Sequence, residues 1–167
     1  MSDAPRPTGG ARGARAGGNA PSLQARALRL LAQREHSRSE LEAKLAPHVQ
    51  EGEDLATLLD QLQARDFINE ERVVESVLHS RAPRLGAQRV LQELRRKGLD
   101  EDLLRAAAGR LKDTELERAR AVWHQRFGNA PAPATREEQA RQMRFLAARG
   151  FGGDVVRRVL DAREDGG

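Results

Sequence analysis

Apolar residues recur along this chain in short stripes at three- and four-residue spacing, and helix stop and start signals separate one stripe from the next. Leu23, Ala27, Leu30 and Leu31 mark a first amphipathic helix ending near Arg34. Ser37 followed by Glu40 forms a capping box for a second, with Leu41 and Leu45 inside and Pro47 preventing its continuation. Leu55, Leu58, Leu59 and Leu62 define a third over about 53–65. Asn69 caps a fourth, whose inner face is Val73, Val74, Val77 and Leu78. The stretch Arg81–Leu104 reads as a complete fifth helix with Ala87, Val90, Leu91 and Leu94 buried, a stop at Gly98, and the start of a sixth capped by Asp100. The sixth buries Leu103, Leu104, Ala107 and Leu111. Thr114 with Glu117 reads as a further capping box, opening a seventh helix that carries Leu116, Ala119, Val122, Trp123 and Phe127. A Gly/Ala/Pro linker over 128–135 breaks it, Thr135 with Glu138 opens an eighth, and Val155, Val156, Val159 and Leu160 mark a ninth after Arg149-Gly150-Phe151.

The helices repeat in groups. Leu94-Arg-Arg-Lys-Gly-Leu99 has a counterpart 52 residues on in Leu146-Ala-Ala-Arg-Gly-Phe151. A weaker copy lies 49 residues upstream, where Leu41 and Leu45 match Val90 and Leu94 and Pro47-His48-Val49 replaces the glycine stop. A register starting from Leu62–Phe67 stays open, with unequal spacings of 32 and 52. Units of three short helices bury little surface alone, so neighbours must stack. The expected fold is all-α: three tandem three-helix repeats, about nine helices, in an elongated, curved array of helix-turn-helix-like units. The expected boundaries are a disordered Gly/Ala/Arg-rich tail over 1–21, repeats over 22–66, 67–112 and 113–163, and a frayed end over 164–167.

Composition fits helices with small cores: 38% of residues are hydrophobic, yet only 3% are aromatic. The absence of cysteine excludes disulfides, thiolate metal sites and thiol nucleophiles. No apolar run reaches the ~18 residues of a membrane span, and no secretory segment is recognisable, so a soluble cytoplasmic protein is expected. The four histidines show no metal-ligand spacing and read as surface residues. Acidic pairs fall in first helical turns, where they suit the helix dipole, and no serine sits in a nucleophile motif. No catalytic residue, metal site or cofactor site emerges, which points away from an enzyme. Trp123 and Phe127 either pack a core or, with Arg120 and Arg126, form a base-stacking platform.

Charge supplies the positive signal. Arg81–Gly98 holds six Arg or Lys against one Glu, directly after Gln50–Leu78 with eight acidic residues against two Arg. Arg81, Arg84, Arg89, Arg95, Arg96 and Lys97 are therefore the candidate partner- or DNA-binding residues. Arg6, Arg12 and Arg15 in the tail offer a loose, salt-sensitive nucleic-acid arm, or a passive extension.

Four blocks in order resemble the RecX regulatory family. Leu30–Leu45 (LLAQREHSRSELEAKL) resembles its opening motif, and Phe67-Ile68-Asn69-Glu70-Glu71-Arg72 its second. Arg84-Leu85-Gly86 through Gly98-Leu99 is similar to its most recognisable block, and Arg149-Gly150-Phe151 to its closing repeat. Gly152-Gly153 stands where the family commonly places Ser or Asp. The resemblance implies three tandem three-helix repeats, no catalysis, and a monomer that binds the RecA recombinase filament, limiting its extension and strand exchange in recombination and repair. Weak contact with single-stranded or duplex DNA would accompany it. The alternative reading is a stand-alone helix-turn-helix-like DNA-binding regulator, which would bind duplex tightly and sequence-selectively without any partner.

Overall fold

The computed structural model describes residues 20–164, so the expected disordered tail lies outside the described residues apart from Ala20 and Pro21. These residues form eight α-helices and contain no strand: α1 (Leu23–Gln33), α2 (Arg38–Leu45), α3 (Leu55–Ala64), α4 (Glu70–Arg81), α5 (Ala87–Arg96), α6 (Glu101–Phe127), α7 (Arg136–Ala148) and α8 (Gly153–Glu164). A single 3-10 turn, Ala46–His48, follows α2 with Pro47 inside it.

The helix starts follow from side-chain oxygens that satisfy otherwise orphaned backbone N–H groups. Ser22, Ser37, Asp54, Asn69, Asp100 and Thr135 each accept a backbone N–H from the first turn of the helix they open. At Ser37 the reciprocal bond from its own N–H to Glu40 completes the capping box. At Thr135 the box is displaced by one residue, since Glu138 accepts from the Ala134 N–H. Gly98 and Gly150 end α5 and α7 at φ +69° and +93°, a region closed to most side chains.

Two elements differ from the expectation. The sixth and seventh helices are one 27-residue helix, α6. Thr-x-x-Glu is also an ordinary i, i+3 pair within a helix, and no proline interrupts this span. Thr114 caps nothing; its hydroxyl accepts from Arg118 Nε at 3.0 Å. The basic stretch is likewise not one helix. Arg81 ends α4, Arg84 lies in the connecting turn, and α5 begins only after Gly86.

Three apolar clusters form the interior. Leu23, Ala27, Leu41, Leu45, Leu59, Leu62 and Ile68 make the first, within α1–α3 and the turn after them. Val73, Val74, Val77, Leu78, Val90, Leu94, Leu99, Leu104, Ala107 and Leu111 make the second. Ala119, Val122, Trp123, Leu146, Phe151, Val156 and Val159 make the third. The N-terminal half of α6 thus serves the second cluster and its C-terminal half the third. Between them, residues 112–118 carry Glu115 and Arg118, which bind backbone at the junction instead of solvent.

Candidate functional site

Helices α2, α5 and α7 are joined in the same sense. The last turn of α5 meets the first turn of α2, and the last turn of α7 meets the first turn of α5. Each contact brings the carbonyl end of one helix to the N-terminal end of another, where the partial charges of the two helix dipoles are opposite.

At the first joint the Ser37 hydroxyl donates to the Lys97 carbonyl at 2.5 Å. The Glu40 carboxylate lies between three partners: the Ser37 N–H (3.2 Å), Lys97 Nζ (3.3 Å) and Arg34 Nη2 (2.6 Å). Burial pushes this carboxyl up, but the Arg34 hydrogen bond, the Ser37 N–H and the Lys97 charge together outweigh it and bring it down to about 2. A Cβ on Gly98 would stand 2.5 Å from Ser39 Oγ, so the chains approach here as only glycine allows. His36 is also in this joint, buried to 1% exposure, and not on the surface as expected. Its Nδ1 lies 3.0 Å from the Arg34 carbonyl and its Nε2 3.2 Å from Lys44 Nζ. The carbonyl can only accept and the ammonium can only donate, so the ring is neutral with its proton on Nδ1. Burial lowers its pKa in the same direction.

At the second joint the Gly86 N–H donates to the Arg149 carbonyl (2.8 Å) and the Gln88 N–H to the Gly150 carbonyl (3.2 Å). Arg89 Nη1 reaches the Ala148 carbonyl at 3.0 Å while its stem packs on Gly150. Glu115 Oε1 accepts from the N–H groups of Ala87 (3.3 Å) and Gly152 (3.4 Å), bridging the starts of α5 and α8. Arg118 donates to the carbonyls of Ala82, Leu85 and Leu111, and lies 6.0 Å from the Phe151 ring centre.

These joints divide the candidate residues. Lys97 and Arg89 are engaged within the molecule, holding the first and second joints respectively. Arg81 pairs with Glu93 at 3.2 Å, and Arg84 donates to the Ser80 carbonyl at 3.2 Å. Arg95 and Arg96 are exposed on the last turn of α5, and their guanidinium groups have no hydrogen bond or ion pair among the described residues. The sequence did not separate these roles because all six lie within one charged run. Arg118 and Glu115, which do as much as any residue at the second joint, were invisible as isolated charges in a polar stretch.

The expected alternatives for Trp123 are also resolved. Its indole N–H donates to the buried Gln142 at 3.0 Å, and the ring is 7% exposed, so it is core and not a stacking platform. Among the described residues no cluster of His, Asp or Glu has the grouping of a metal site.

Comparison with known proteins assigns this architecture. Residues 69–107 match the family model for the second three-helix domain of RecX, and residues 113–160 that for the third. The regulatory protein RecX of Leptothrix cholodnii is 54% identical over 139 residues, covering 83% of this chain and 87% of that protein. That of Ralstonia nicotianae is 45% identical over 143 residues, covering 86% and 89%. The crystal structure of RecX from Lactobacillus salivarius shares the fold, with a TM-score of 0.68 at 20% identity over 84% of this chain and 95% of that one. A chain so covered, with the two joints built from the residues of the family blocks, belongs to the RecX family of regulatory proteins.

Proposed function

We propose that this protein binds the RecA–DNA filament and restrains it, mainly inhibiting strand exchange. It acts in the cytoplasm as a monomeric, non-catalytic regulator, with weak affinity for DNA alone. The observation that carries this reading is the 54% identity to a regulatory protein RecX across most of both chains. The physical support is an array whose internal joints consume Arg89 and Lys97 and leave Arg95 and Arg96 with open donors. An acidic segment over 50–78 lies on the units before them, so one array offers both signs of charge to neighbouring subunits of a filament.

The test is a titration of the protein against preformed RecA–single-strand filaments, bare random duplex and bare genomic duplex. Tight filament binding with uniformly weak duplex binding is expected. Tight, sequence-selective duplex binding without RecA would replace this reading with a stand-alone DNA-binding regulator.

A further inference from the structure

Among the described residues, His36 is the only ionisable side chain in the buried interior. It lies in the turn between α1 and α2, one residue before Ser37, whose hydroxyl holds the Lys97 carbonyl across the first joint. Both ring nitrogens are committed. Nδ1–H donates to the Arg34 carbonyl, and Nε2 accepts from Lys44 Nζ. A second ring proton would sit on Nε2 and point at an ammonium 3.2 Å away, which has nothing to accept it with. The charges around the ring are Arg34 and Glu35 of the same turn, Glu40 and Lys44 of α2, Lys97 of α5 through its pair with Glu40, and Arg72 of α4 through its pair with Glu35. Both carboxylates already serve arginine or lysine, so an imidazolium here finds no free counter-charge.

We propose that protonation of His36 unlatches the first joint, giving the chain a proton-operated release of α1–α3 from the end of α5. The imidazolium has two ways to be satisfied. It can move out to water, or it can take Glu40 from Arg34 and Lys97. Either move displaces the turn that carries Ser37, and with it the bonds that Ser37 and Glu40 make to Lys97. Burial favours the neutral ring and lowers its pKa from the ordinary 6.5, and the Arg34 and Lys44 charges act the same way, against the Arg34 carbonyl and Glu40. The closed joint is therefore fully supported above about pH 6.5, and that support is lost as pH falls through the lower, folded value. Histidine is the side chain whose charge changes in this range, and the carboxylates of the joint stay ionised throughout it. The other three histidines, His48, His79 and His124, are exposed.

The chain has no cysteine, so Gln61→Cys/Gln92→Cys, at exposed positions on α3 and α5, places one spin-label pair across the joint of the full chain. The distance distribution is expected to lengthen and broaden between about pH 7.5 and pH 5 as the His36 ring signals titrate. In a His36→Asn background, whose amide can still donate to the Arg34 carbonyl, it should stay the same at both pH values. Lys44→Met alters only an exposed side chain and removes the facing ammonium, so the ring should titrate higher by roughly half a unit. A constant wild-type distance, a ring still neutral at pH 5, an equal change with His36→Asn, or an unmoved titration in Lys44→Met each overturns the proposal. A weaker hold on the RecA filament at low pH would follow only if the reading above is right. Filament affinity should fall several-fold at pH 5 in the wild type and not in His36→Asn; absence of filament binding at either pH counts against the RecA reading alone.

Discussion

Lys97 Nζ stands 3.3 Å from Glu40 Oε1, and only 14% and 13% of the two side chains are exposed, so this ion pair is part of the first joint and not of the outer surface. The Glu40 carboxyl falls from its ordinary 4.5 to about 2. A folded-state value below the unfolded one stabilises the protein above about pH 4.5, and that stability is lost as pH falls through about 2. The shift corresponds to about 3 kcal/mol, reduced to about 1–2 kcal/mol by solvent at the rim of the joint. Urea melts between pH 7 and pH 3 should show, in the wild type relative to Glu40→Gln, a loss of about half this size, because a carboxyl at about 2 is still mostly ionised at pH 3. Glu40→Gln should be less stable at pH 7 and lose less on acidification; an identical pH profile in the two proteins would contradict the role given to Glu40.

Two glycines with opposite surroundings give a paired prediction. A Cβ on Gly86 would stand 2.2–2.3 Å from backbone atoms of Gly150 and Phe151, which cannot move without opening the second joint. Gly86→Ala should therefore cost about 3 kcal/mol or more. Gly109 lies inside α6 with nothing within 4 Å of a Cβ, so Gly109→Ala should stabilise by about 0.5–1 kcal/mol. Thermal melts of the two variants should move in opposite directions.

Arg118 serves three carbonyls and a threonine hydroxyl with one planar fork. Burial lowers its pKa, and the Glu115 charge opposes that shift. Arg118→Lys keeps the charge but cannot span the acceptors, and Arg118→Met leaves them unsatisfied. Both should destabilise by about 2–4 kcal/mol in chemical denaturation. Wild-type stability in the lysine variant would show that charge alone suffices.

Arg89 and the Arg95/Arg96 pair should separate stability from partner binding. Arg89→Glu removes the donor to Ala148 and places a carboxylate beside carbonyl ends, so its melting temperature should drop. Arg95→Glu/Arg96→Glu should melt like the wild type and lose most inhibition of RecA strand exchange. Full inhibition by that folded variant would show that the exposed end of α5 is not the contact.

Helix identities were legible because caps and apolar stripes are local. Ser37 with Glu40, Asn69, Asp100 and Gly98 each act as their spacing implies. No break occurs at Thr114. A capping box and a mid-helix i, i+3 pair have the same letters, and here the Thr114 hydroxyl accepts from Arg118 one turn on within α6. The candidate site was half legible. Charge density found the basic run, but which cations remain open depends on partners distant in sequence, such as Glu40 for Lys97 and Ala148 for Arg89.

The uninterrupted α6 gives the molecule a mechanical asymmetry. Twenty-seven residues at about 1.5 Å each make a beam of roughly 40 Å, built into both the second and third apolar clusters. Bending there would break a helix. The first unit is attached to the second by polar links instead: Ser37 and Glu40 to Lys97, and Glu35 to Arg72. Torque applied along the array should therefore be absorbed at the Lys97 joint, which acts as an articulation ahead of a stiff lever. Native-state hydrogen exchange should find one shared opening free energy for the cores served by α6, and a lower, separate one for α1–α3.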